Sequence, residues 1–311
     1  MSTIDGTVYD DRTPPTLDRT ALPRRPDHAT VLLVAPTYFD VRYRINPYMG
    51  GVVDGARARS EWDRLRRAYE RYAERVVVLD PDRYGTPDPE ESGRDHVAPA
   101  RLPDLVFAAN LGLATADGDG VVLARMATAE RAAEPVHFAR WCRAVGYDVH
   151  ELPGEAAFEG TGDAIWHPGR RLLWGGYGVR TERAAYDEIA PLVDAPVVPL
   201  ELADERFYHL DVCFAPLTEE TVLIVPEAFD AAGRDRIDAL FERVIEAPLS
   251  EATDGLACNC HCVDGRHVLL GAGNPETERR LRDAGFVPVP VSTAEFRKAG
   301  GSVRCLSLSL G

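Results

Sequence analysis

Residues 142–149 read CRAVGYDV, and residues 281–288 read LRDAGFVP. Each stretch has the pattern of a helix end, a glycine that stops the helix, an aromatic residue and then an apolar strand. The recurrence of such a unit indicates a repeated strand–helix–strand module within one closed architecture. Two ordinary helix C-termini would leave the same pattern, so these two stretches alone keep both interpretations open.

The sequence around these stretches alternates short apolar runs with amphipathic segments from Val31 onward. Apolar runs bounded by polar turns predict strands, and apolar residues at three- and four-residue steps predict helices. The predicted strands are Val31–Ala35, Val76–Leu79, Leu105–Ala109, Val121–Arg125, Asp148–Leu152, Arg171–Trp174, Val197–Leu200, Val212–Ala215, Thr221–Val225, His267–Leu270, Phe286–Val291 and Cys305–Leu310. The predicted helices are Ser60–Arg75, Glu134–Ala144, Glu182–Ala190, Asp230–Val244 and Pro275–Ala284. No Gly/Ser-rich linker divides this series, so we predict a single α/β domain over residues 31–311.

The N-terminal residues 1–30 differ from the rest because they are polar and rich in proline. They lack the apolar core of a signal peptide, so we predict a disordered or extended tail. No stretch of 18 or more apolar residues occurs anywhere in the chain, and we expect no transmembrane helix. Six cysteines scattered over 311 residues predict free thiols in a cytoplasmic protein.

The net charge of the chain limits the classes of partner that it can bind. The formal net charge is −15 and the isoelectric point is near 5.0. Such a chain repels nucleic-acid phosphates and anionic membranes, and it attracts small cations. We therefore expect a small-molecule partner, no nucleic acid and no membrane; a homo-oligomer is compatible with the sequence.

The C-terminal stretch 299–308, AGGSVRCLSL, carries the best candidate nucleophile, Cys305. Two glycines followed by a thiol at the start of a strand can bring that thiol into a pocket. A thiol reacts as its thiolate, so it needs a base and a charge partner. His209 and Glu159 are the candidates for these two roles.

His209 and Asp211 lie at the start of a predicted strand and would share one face of it. A base beside a second acceptor suits the binding of a cation and the transfer of protons. An exposed strand with unrelated polar residues would have the same pattern, and for this pair alone it is the more common case.

Two further polar positions are ambiguous on their own. Glu159 and Asp163 flank a Gly-rich bend, where backbone can approach a ligand closely, although such loops are more often plain turns. Asn110 ends the run 105–109 and could hydrogen-bond a planar nitrogen-rich group or simply cap a turn.

The stretch 258–262, CNCHC, raises the question of a metal site. Its three cysteines alternate along a predicted strand and are too close together for one tetrahedral site, so we interpret them as small buried thiols of a core strand. Residues 175–178, GGYG, lack dinucleotide-binding spacing, and the chain has no Walker loop. We therefore predict no metal and no cofactor.

Taken together and in order, three stretches are more specific: 158–164 (FEGTGDA), 208–213 (YHLDVC) and 300–308 (GGSVRCLSL). The ordered set resembles the guanidino-group-modifying, or amidinotransferase-like, superfamily. It includes arginine deiminases, dimethylarginine dimethylaminohydrolases, amidinotransferases and arginine dihydrolases. The likeness runs from about Val31 to the C-terminus. It implies an α/β-propeller with about five pseudo-symmetric ββαβ modules around a central active site.

The resemblance also implies catalytic roles. Cys305 matches the nucleophile, His209 the general acid/base and Glu159 the carboxylate that orients the chemistry. Asp211 matches the acid that binds guanidinium nitrogens.

The remaining matched residues are assigned to substrate binding. Arg180 matches an arginine that holds the α-carboxylate of the substrate, and Arg131 occupies a similar place, for which Arg125 is a competing alignment. Asp163 is placed in support of the site.

One departure from the superfamily pattern is informative. Deiminases and methylarginine hydrolases carry an aspartate where this chain has Asn110. An aspartate prefers a cationic guanidinium, whereas a neutral amide can also donate to the ureido oxygen of citrulline. Asparagine here, Ala299 before the cysteine, and residues 36–41 (PTYFDV) and 45–49 (INPYM) resemble the arginine dihydrolases, in which Asn46 would face the substrate.

The resemblance thus implies a hydrolase that cleaves guanidino C–N bonds through a covalent adduct on Cys305. The preferred reaction converts arginine, through citrulline, to ornithine, carbon dioxide and ammonia. A dimethylarginine dimethylaminohydrolase, a citrulline-forming arginine deiminase and an amidinotransferase with an amine acceptor are the enzymatic alternatives. A non-catalytic arginine-binding protein is the alternative from another class, and the retained Cys305, His209 and Glu159 argue against it.

Overall fold

The computed structural model describes residues 6–10, 17–26, 30–84, 97–202 and 204–311. These residues form five sheets of three strands each. The strands are β1 (Thr30–Val34), β2 (Arg75–Leu79), β3 (Gly112–Ala114), β4 (Gly120–Leu123), β5 (Asp148–His150), β6 (Ala164–Trp166), β7 (Leu173–Tyr177), β8 (Val197–Glu201), β9 (Phe214–Pro216), β10 (Thr221–Ile224), β11 (Arg243–Glu246), β12 (His261–Cys262), β13 (His267–Gly271), β14 (Val287–Val291) and β15 (Ser307–Leu310). The helices are α1 (Gly55–Tyr72), α2 (Pro81–Tyr84), α3 (Glu134–Val145), α4 (Ala185–Val193), α5 (Ala231–Leu240), α6 (Leu249–Gly255), α7 (Pro275–Asp283) and α8 (Ala294–Arg297).

All five sheets follow one ββαβ plan. In each, the first strand pairs antiparallel with the second, and the second pairs parallel with the third. A parallel pair needs a crossover connection, which is a helix in every module. The modules are β15-β1-α1-β2, β3-β4-α3-β5, β6-β7-α4-β8, β9-β10-α5-β11 and β12-β13-α7-β14. The C-terminal strand β15 completes the first module, so the chain closes on itself. The predicted α/β fold of five ββαβ modules is confirmed.

The two recurring stretches occupy the same place in two modules. Gly146 after α3 and Gly285 after α7 both have positive φ, 98° and 96°. The aromatic residue that follows each glycine donates its N–H to a carbonyl in the last turn of the helix, Tyr147 to Cys142 and Phe286 to Leu281. This is the Schellman geometry that only glycine adopts without strain. The recurrence therefore reflects a repeated module.

The turn that precedes the first strand of each module is here called its lead turn. The lead turns comprise residues 107–111, 159–163, 209–213, 256–260 and 302–306. Three of them are short 3-10 helices, at Ala108–Leu111, Gly160–Gly162 and Leu210–Val212. All the predicted catalytic residues lie in lead turns.

Hydrogen bonds join the five lead turns into a closed ring. Going round the ring, the bonds are Ala109 N to Cys305 O at 3.1 Å, Thr161 Oγ1 to Ala109 O at 2.9 Å, Leu210 N to Asp163 Oδ1 at 2.9 Å, Asn259 Nδ2 to Asp211 O at 3.1 Å and Cys305 N to Asn259 Oδ1 at 3.2 Å. Every bond links one module to the next. Segments far apart in sequence are thereby held at one centre.

Several predicted elements differ from the observed ones, chiefly at the lead turns. Leu105–Ala109 was predicted as a strand but forms two 3-10 turns, because a short, continuously buried run does not distinguish the two by its periodicity. The strand predicted from Cys305 begins at Ser307, and the strand predicted from Val212 begins at Phe214. His209 and Asp211 therefore do not share a strand face.

Other differences concern short strands. The Cys-rich stretch is a strand only at His261–Cys262. Cys258 and Cys260 are buried as predicted, whereas Cys262 is only partly buried. β3, β6 and β11 were not predicted, and they have only three or four residues each. The helix predicted over Asp230–Val244 ends at Leu240, and β11 follows it.

The described parts of the N-terminal 30 residues lie against the propeller. Val8 pairs with Val197, and Arg24 pairs with Arg170. The prediction of a disordered or extended tail also covers residues 1–5, 11–16 and 27–29, which lie outside the described ranges. Within the described residues, no helix is both long and apolar enough to span a membrane.

Candidate active site

A small chamber lies where the lead turns meet. Six of the predicted site residues line it: Cys305, Asn110, Arg131, Arg180, Asn46 and Ala299. Its volume is about 10 Å³, which is room for about one water molecule. The chamber is thus too small for an amino acid in this conformation, and binding of one requires part of its wall to move.

Cys305 is held between a carboxylate and an amide. Its side chain is buried, and its Sγ lies 3.2 Å from Oδ2 of Asp211 and 3.0 Å from Nδ2 of Asn259. The thiol donates to the carboxylate and accepts from the amide. Burial, together with the charge of Asp211, raises the pKa of the Cys305 thiol well above its ordinary value. Cys305 is therefore a protonated thiol in the free protein.

His209 and Glu159 form a buried pair beside this thiol's carboxylate partner. His209 Nε2 donates to Oε2 of Glu159 at 2.7 Å, and neither side chain is more than 1% exposed. Arg180 Nη1 lies 3.1 Å from the same Oε2, and the N–H of Ala127 donates to Oε1. Burial opposes ionisation, but the hydrogen bond from His209 and the nearby arginines hold the pKa of Glu159 below its usual range. Glu159 is a permanent carboxylate that fixes one imidazole nitrogen as a donor.

Asn110 has its amide orientation fixed by Arg131. Arg131 Nη1 donates to Asn110 Oδ1 at 2.9 Å, so the amide oxygen faces the arginine. The Asn110 NH₂ group then faces Glu159, whose backbone carbonyl is 3.4 Å away. Gly162 lies against this amide, since a Cβ at Gly162 would come within 2.4 Å of Asn110 Nδ2. The lead turn with Glu159 therefore needs glycine at this position.

The predicted carboxylate-binding arginines are all paired within the protein. Arg131 donates from Nε and Nη2 to Oε2 of Glu134, at 3.0 and 2.7 Å. Arg180 contacts Glu159 and also donates to the carbonyl of Ile45. Arg125 donates to backbone carbonyls and does not line the chamber, so the geometry favours Arg131 over this competing alignment.

Asn46 and Ala299 form a wall of the chamber. Asn46 Nδ2 donates to the carbonyl of Ala299 at 3.0 Å, and its Oδ1 accepts from the N–H groups of Tyr48 and Met49. The next residue, Gly300, has φ +90°, and a Cβ there would lie 2.7 Å from the Asn46 amide. The first glycine of the pair 300–301 is therefore a point of close contact that leaves no room for a side chain.

Asp163, like His209, Glu159 and Asp211, does not line the chamber. Its Oδ1 accepts from the N–H of Leu210 at 2.9 Å, next to His209. Burial raises the pKa of Asp163 to about 6. Its contacts are those of a residue that supports the lead turn of His209. Substrate binding by Asp163 stays a prediction, and these contacts do not favour it.

Sequence reasoning missed the acidic residues around the chamber. Asp104 lines the chamber and accepts from the hydroxyl of Tyr43 at 3.0 Å, and Glu134 is fully buried against Arg131. No local signal marks them, because an aspartate beside an apolar run and a glutamate at a helix start are ordinary at a surface, and only the tertiary fold buries them. Asp104, Glu134, Glu159 and Asp211 give four carboxylates against the two guanidinium groups of Arg131 and Arg180. Burial raises the pKa of Asp104 and Asp211, and that of Glu134 to about 7, so a cation that binds beside these acids would favour their ionised forms.

A cysteine, a histidine and several carboxylates at the centre of five ββαβ modules define the guanidino-group-modifying class of fold. The family model described as N,N dimethylarginine dimethylhydrolase, eukaryotic, matches residues 95–310. The chain therefore belongs to the dimethylarginine dimethylaminohydrolase family.

Relatives of two kinds are similar to most of this chain. The bifunctional arginine dihydrolase/ornithine cyclodeaminase ArgZ of Synechocystis is 36% identical over 289 residues, which are 91% of this chain and 38% of ArgZ. The N(G),N(G)-dimethylarginine dimethylaminohydrolase of Mycobacterium tuberculosis is 36% identical over 290 residues, or 92% of this chain and 87% of that protein. The chain thus spans well under half the length of the bifunctional relatives.

Solved structures agree with these relatives. The N-terminal domain of ArgZ, in a mutant form bound to its substrate, has a TM-score of 0.79 at 35% identity, covering 90% of this chain and 97% of that domain. Another mutant of that domain, covalently bound to a reaction intermediate, has a TM-score of 0.80 and covers 91% of this chain and 97% of its own.

Proposed function

We propose that this protein is a cysteine hydrolase that cleaves the guanidino C–N bonds of arginine twice and releases ornithine. The observation that carries the proposal is the placement of Cys305 Sγ, which borders the chamber, against the buried carboxylate of Asp211. A guanidinium that pairs with Asp211 has its central carbon next to the sulfur.

The resting thiol becomes reactive only when a cation arrives. A guanidinium at Asp211 neutralises the charge that raises the pKa of Cys305, so substrate binding itself favours the thiolate. His209 is the general base and acid, and Glu159 holds its imidazole in place. The free protein keeps an inert thiol and the complex acquires a nucleophile.

The first cleavage forms a C–S bond and breaks a C–N bond. The thiolate attacks the guanidinium carbon, and the tetrahedral adduct collapses as His209 protonates the departing nitrogen, which leaves as ammonia. Cys305 then carries a thiouronium that retains the ornithine part of the substrate. Water, deprotonated by His209, attacks the same carbon, the C–S bond breaks, and citrulline forms.

The second cleavage repeats these steps on the ureido group. Attack of Cys305 on the ureido carbon expels a second ammonia and leaves a thiocarbamate. Water releases N-carboxyornithine, which loses carbon dioxide and gives ornithine. The balance is one arginine and two waters to one ornithine, one carbon dioxide and two ammonia.

The orientation of Asn110 supports the second cleavage. Its oxygen is held by Arg131 and one N–H of its NH₂ group faces the carbonyl of Glu159, so the second N–H is the donor left for a substrate. An amide donor stabilises the developing negative charge on a ureido oxygen, whereas an aspartate would repel that oxygen. The similarity to the substrate-bound N-terminal domain of ArgZ supports the same reaction class.

The substrate's α-carboxylate is assigned to Arg180 and Arg131. Both already pair with buried acids, so the assignment requires the wall at Asn46 and Ala299 to open and the Arg180 contact with Ile45 to break. The ion pairs of the two arginines with Glu134 and Glu159 then rearrange around the incoming ligand.

A dimethylarginine dimethylaminohydrolase is the second candidate. The family model and the mycobacterial relative, 87% of which this chain covers, favour it. It would release dimethylamine and citrulline from asymmetric dimethylarginine in a single cleavage.

Product analysis with purified protein separates these functions. Arginine, citrulline and asymmetric dimethylarginine are supplied in parallel, each with and without glycine as an amine acceptor, and Cys305→Ser serves as the inactive control. Two ammonia and one ornithine per arginine support the proposal. One ammonia with citrulline indicates a deiminase, dimethylamine indicates the second candidate, and a glycine-dependent product indicates an amidinotransferase. Binding of arginine without turnover of any of these compounds would leave the non-catalytic binder.

A further inference from the structure

We propose that Asn259 is a catalytic residue, which holds Cys305 in register with Asp211 and stabilises its thiolate by donating a hydrogen bond to the sulfur. The stretch 258–262 attracted attention for its cysteines, but the residue between the first two is the polar one at the centre. The inference deepens the proposed function and rests on it for the reaction in which the thiolate is used.

The position of Asn259 in its module matches that of two other residues at the site. Asn110 lies two residues before β3, Cys305 two residues before β15 and Asn259 two residues before β12. In a propeller built from repeated modules, equivalent positions of the lead turns point to the same axis. The lead turns of the other four modules each place residues at the centre, and Asn259 is the residue that the fifth module places there.

The backbone of the nucleophile's lead turn fixes the orientation of the Asn259 amide. Its Oδ1 accepts from the N–H groups of Arg304 at 3.0 Å and Cys305 at 3.2 Å. The opposite orientation would place the NH₂ group against two N–H donors, so it is excluded. The NH₂ group consequently points to the carbonyl of Asp211 at 3.1 Å and to the Cys305 sulfur at 3.0 Å.

These four hydrogen bonds use the full capacity of the side chain. An amide has two acceptor sites and two donors, and Asn259 is 0% exposed. One side chain thus joins the nucleophile's backbone, the nucleophile's sulfur and the lead turn that carries Asp211. Among residues of similar size, only asparagine has both an oxygen that can accept from two N–H groups and an NH₂ group that can donate twice.

The hydrogen bond to sulfur has an electrostatic consequence. A thiol sulfur is a weak acceptor and a thiolate is a strong one, so a donor at 3.0 Å favours the ionised form. Asp211 acts in the opposite direction, since it accepts the thiol proton. A backbone hydrogen bond from Ser302 favours the ionised form as well, and Asn259 is the described side chain that donates to the sulfur. Its loss should leave the thiol bound to Asp211 and less reactive.

The test measures thiolate formation at Cys305 without any substrate. Rates of iodoacetamide alkylation are followed by peptide mass spectrometry, which separates Cys305 from the other five cysteines, across about pH 6 to 10. The variants are Asn259→Ala, which removes the amide, and Asn259→Asp, which keeps an acceptor oxygen, removes the donor and adds a negative charge that by itself raises the thiol pKa. The Ala variant therefore isolates the loss of the donor. Asn274→Ala is the matched control: Asn274 is equally buried and donates to two carbonyls, of Gly255 and Gly271, away from Cys305.

The expected result is a shift of the alkylation profile of both Asn259 variants to higher pH by about one unit, or about tenfold slower alkylation at a fixed pH. The Asn274 variant should keep the parent profile. A folded Asn259→Ala or Asn259→Asp protein with an unshifted profile overturns the proposal. If neither variant folds, the side-chain amide protons of Asn259 in the parent protein decide, because their NMR shift must change as the Cys305 thiol ionises and otherwise the proposal is wrong.

Turnover then separates this inference from the proposed function. With arginine, both Asn259 variants should lose about 10²-fold in kcat with a smaller change in KM, since the donor acts on the nucleophile. A shifted alkylation profile in a protein that turns over no guanidino compound supports the role of Asn259 and rejects the proposed function. If the parent protein turns over arginine and the alkylation profiles of the Asn259 variants are unshifted, the proposed function is supported and the role of Asn259 is rejected.

Discussion

The Sγ of Cys305 lies 3.2 Å from Oδ2 of Asp211, and both side chains are buried. This contact joins the last strand's lead turn to that of the fourth module. It also places the acid that suits a guanidinium where it suppresses ionisation of the nucleophile. The proposed function predicts that a guanidinium bound at Asp211 removes this suppression.

Replacement of Asp211 should separate thiol reactivity from catalysis. Asp211→Asn removes the charge that, after burial, raises the pKa of Cys305, so alkylation by neutral iodoacetamide at about pH 7.5 should become at least tenfold faster. Turnover of arginine should fall by about 10³-fold, because the cation loses its carboxylate. If alkylation slowed in the variant, the assignment of Asp211 as the suppressing charge would be wrong.

Asn110 should determine whether hydrolysis stops at citrulline. Asn110→Asp keeps an oxygen facing Arg131 but replaces the NH₂ donor with a second carboxylate oxygen. We expect one ammonia per arginine and accumulation of citrulline, with citrulline itself turned over about 10²-fold more slowly than by the parent. Quantification of citrulline and ornithine by chromatography checks this. A variant that still yields two ammonia would show that Asn110 is not the donor for the second step.

Gly162 should not tolerate a methyl group. A Cβ at this position would lie 2.4 Å from Asn110 Nδ2, so Gly162→Ala must displace the Asn110 side chain. We expect the free energy of unfolding to fall by about 1–3 kcal/mol and arginine turnover to fall further than that loss explains. Gly50→Ala is the control, because a Cβ at Gly50 meets no atom within 4 Å. Equal activities for the two variants would contradict the packing described for Asn110.

Asp163 should make stability depend on pH. Burial raises its pKa from 3.8 to about 6, so its neutral form stabilises the fold below about pH 4 and that contribution is lost as pH rises through about 6. Asp163→Asn keeps an acceptor for Leu210 and does not ionise. In urea unfolding, the free energy of unfolding of the variant should therefore rise relative to that of the parent by about 3 kcal/mol between about pH 4 and 7. A constant difference across this range would show that Asp163 is not buried as a titrating acid.

The sequence allowed the fold to be predicted because helix termination is a local property. Gly146 and Gly285 each stop a helix with positive φ, and that requirement is visible in one chain without any partner. The strands that cross over through helices were also predicted, for instance β13 and β14 around α7. The lead turns were not, because their shape depends on hydrogen bonds between modules, such as that from Leu210 to Asp163.

The same distinction explains the candidate site. Cys305, His209 and Glu159 could be chosen from their residue types, and the resemblance gave them an order. Asn259 could not, because its role arises from four hydrogen bonds to residues about 45 to 48 positions away. Asp104 and Glu134 were missed because their burial is a tertiary property. Arg131 was identified, but its pairing with Glu134 could not be read from the sequence.

The covalent adduct on Cys305 tests the central claim most directly. The protein is mixed with arginine, quenched in acid during turnover and digested, and the peptide that contains Cys305 is weighed. We predict an added mass equal to arginine less one ammonia, which Cys305→Ser lacks. An unmodified Cys305 during rapid turnover, or an adduct on another residue, would contradict the account.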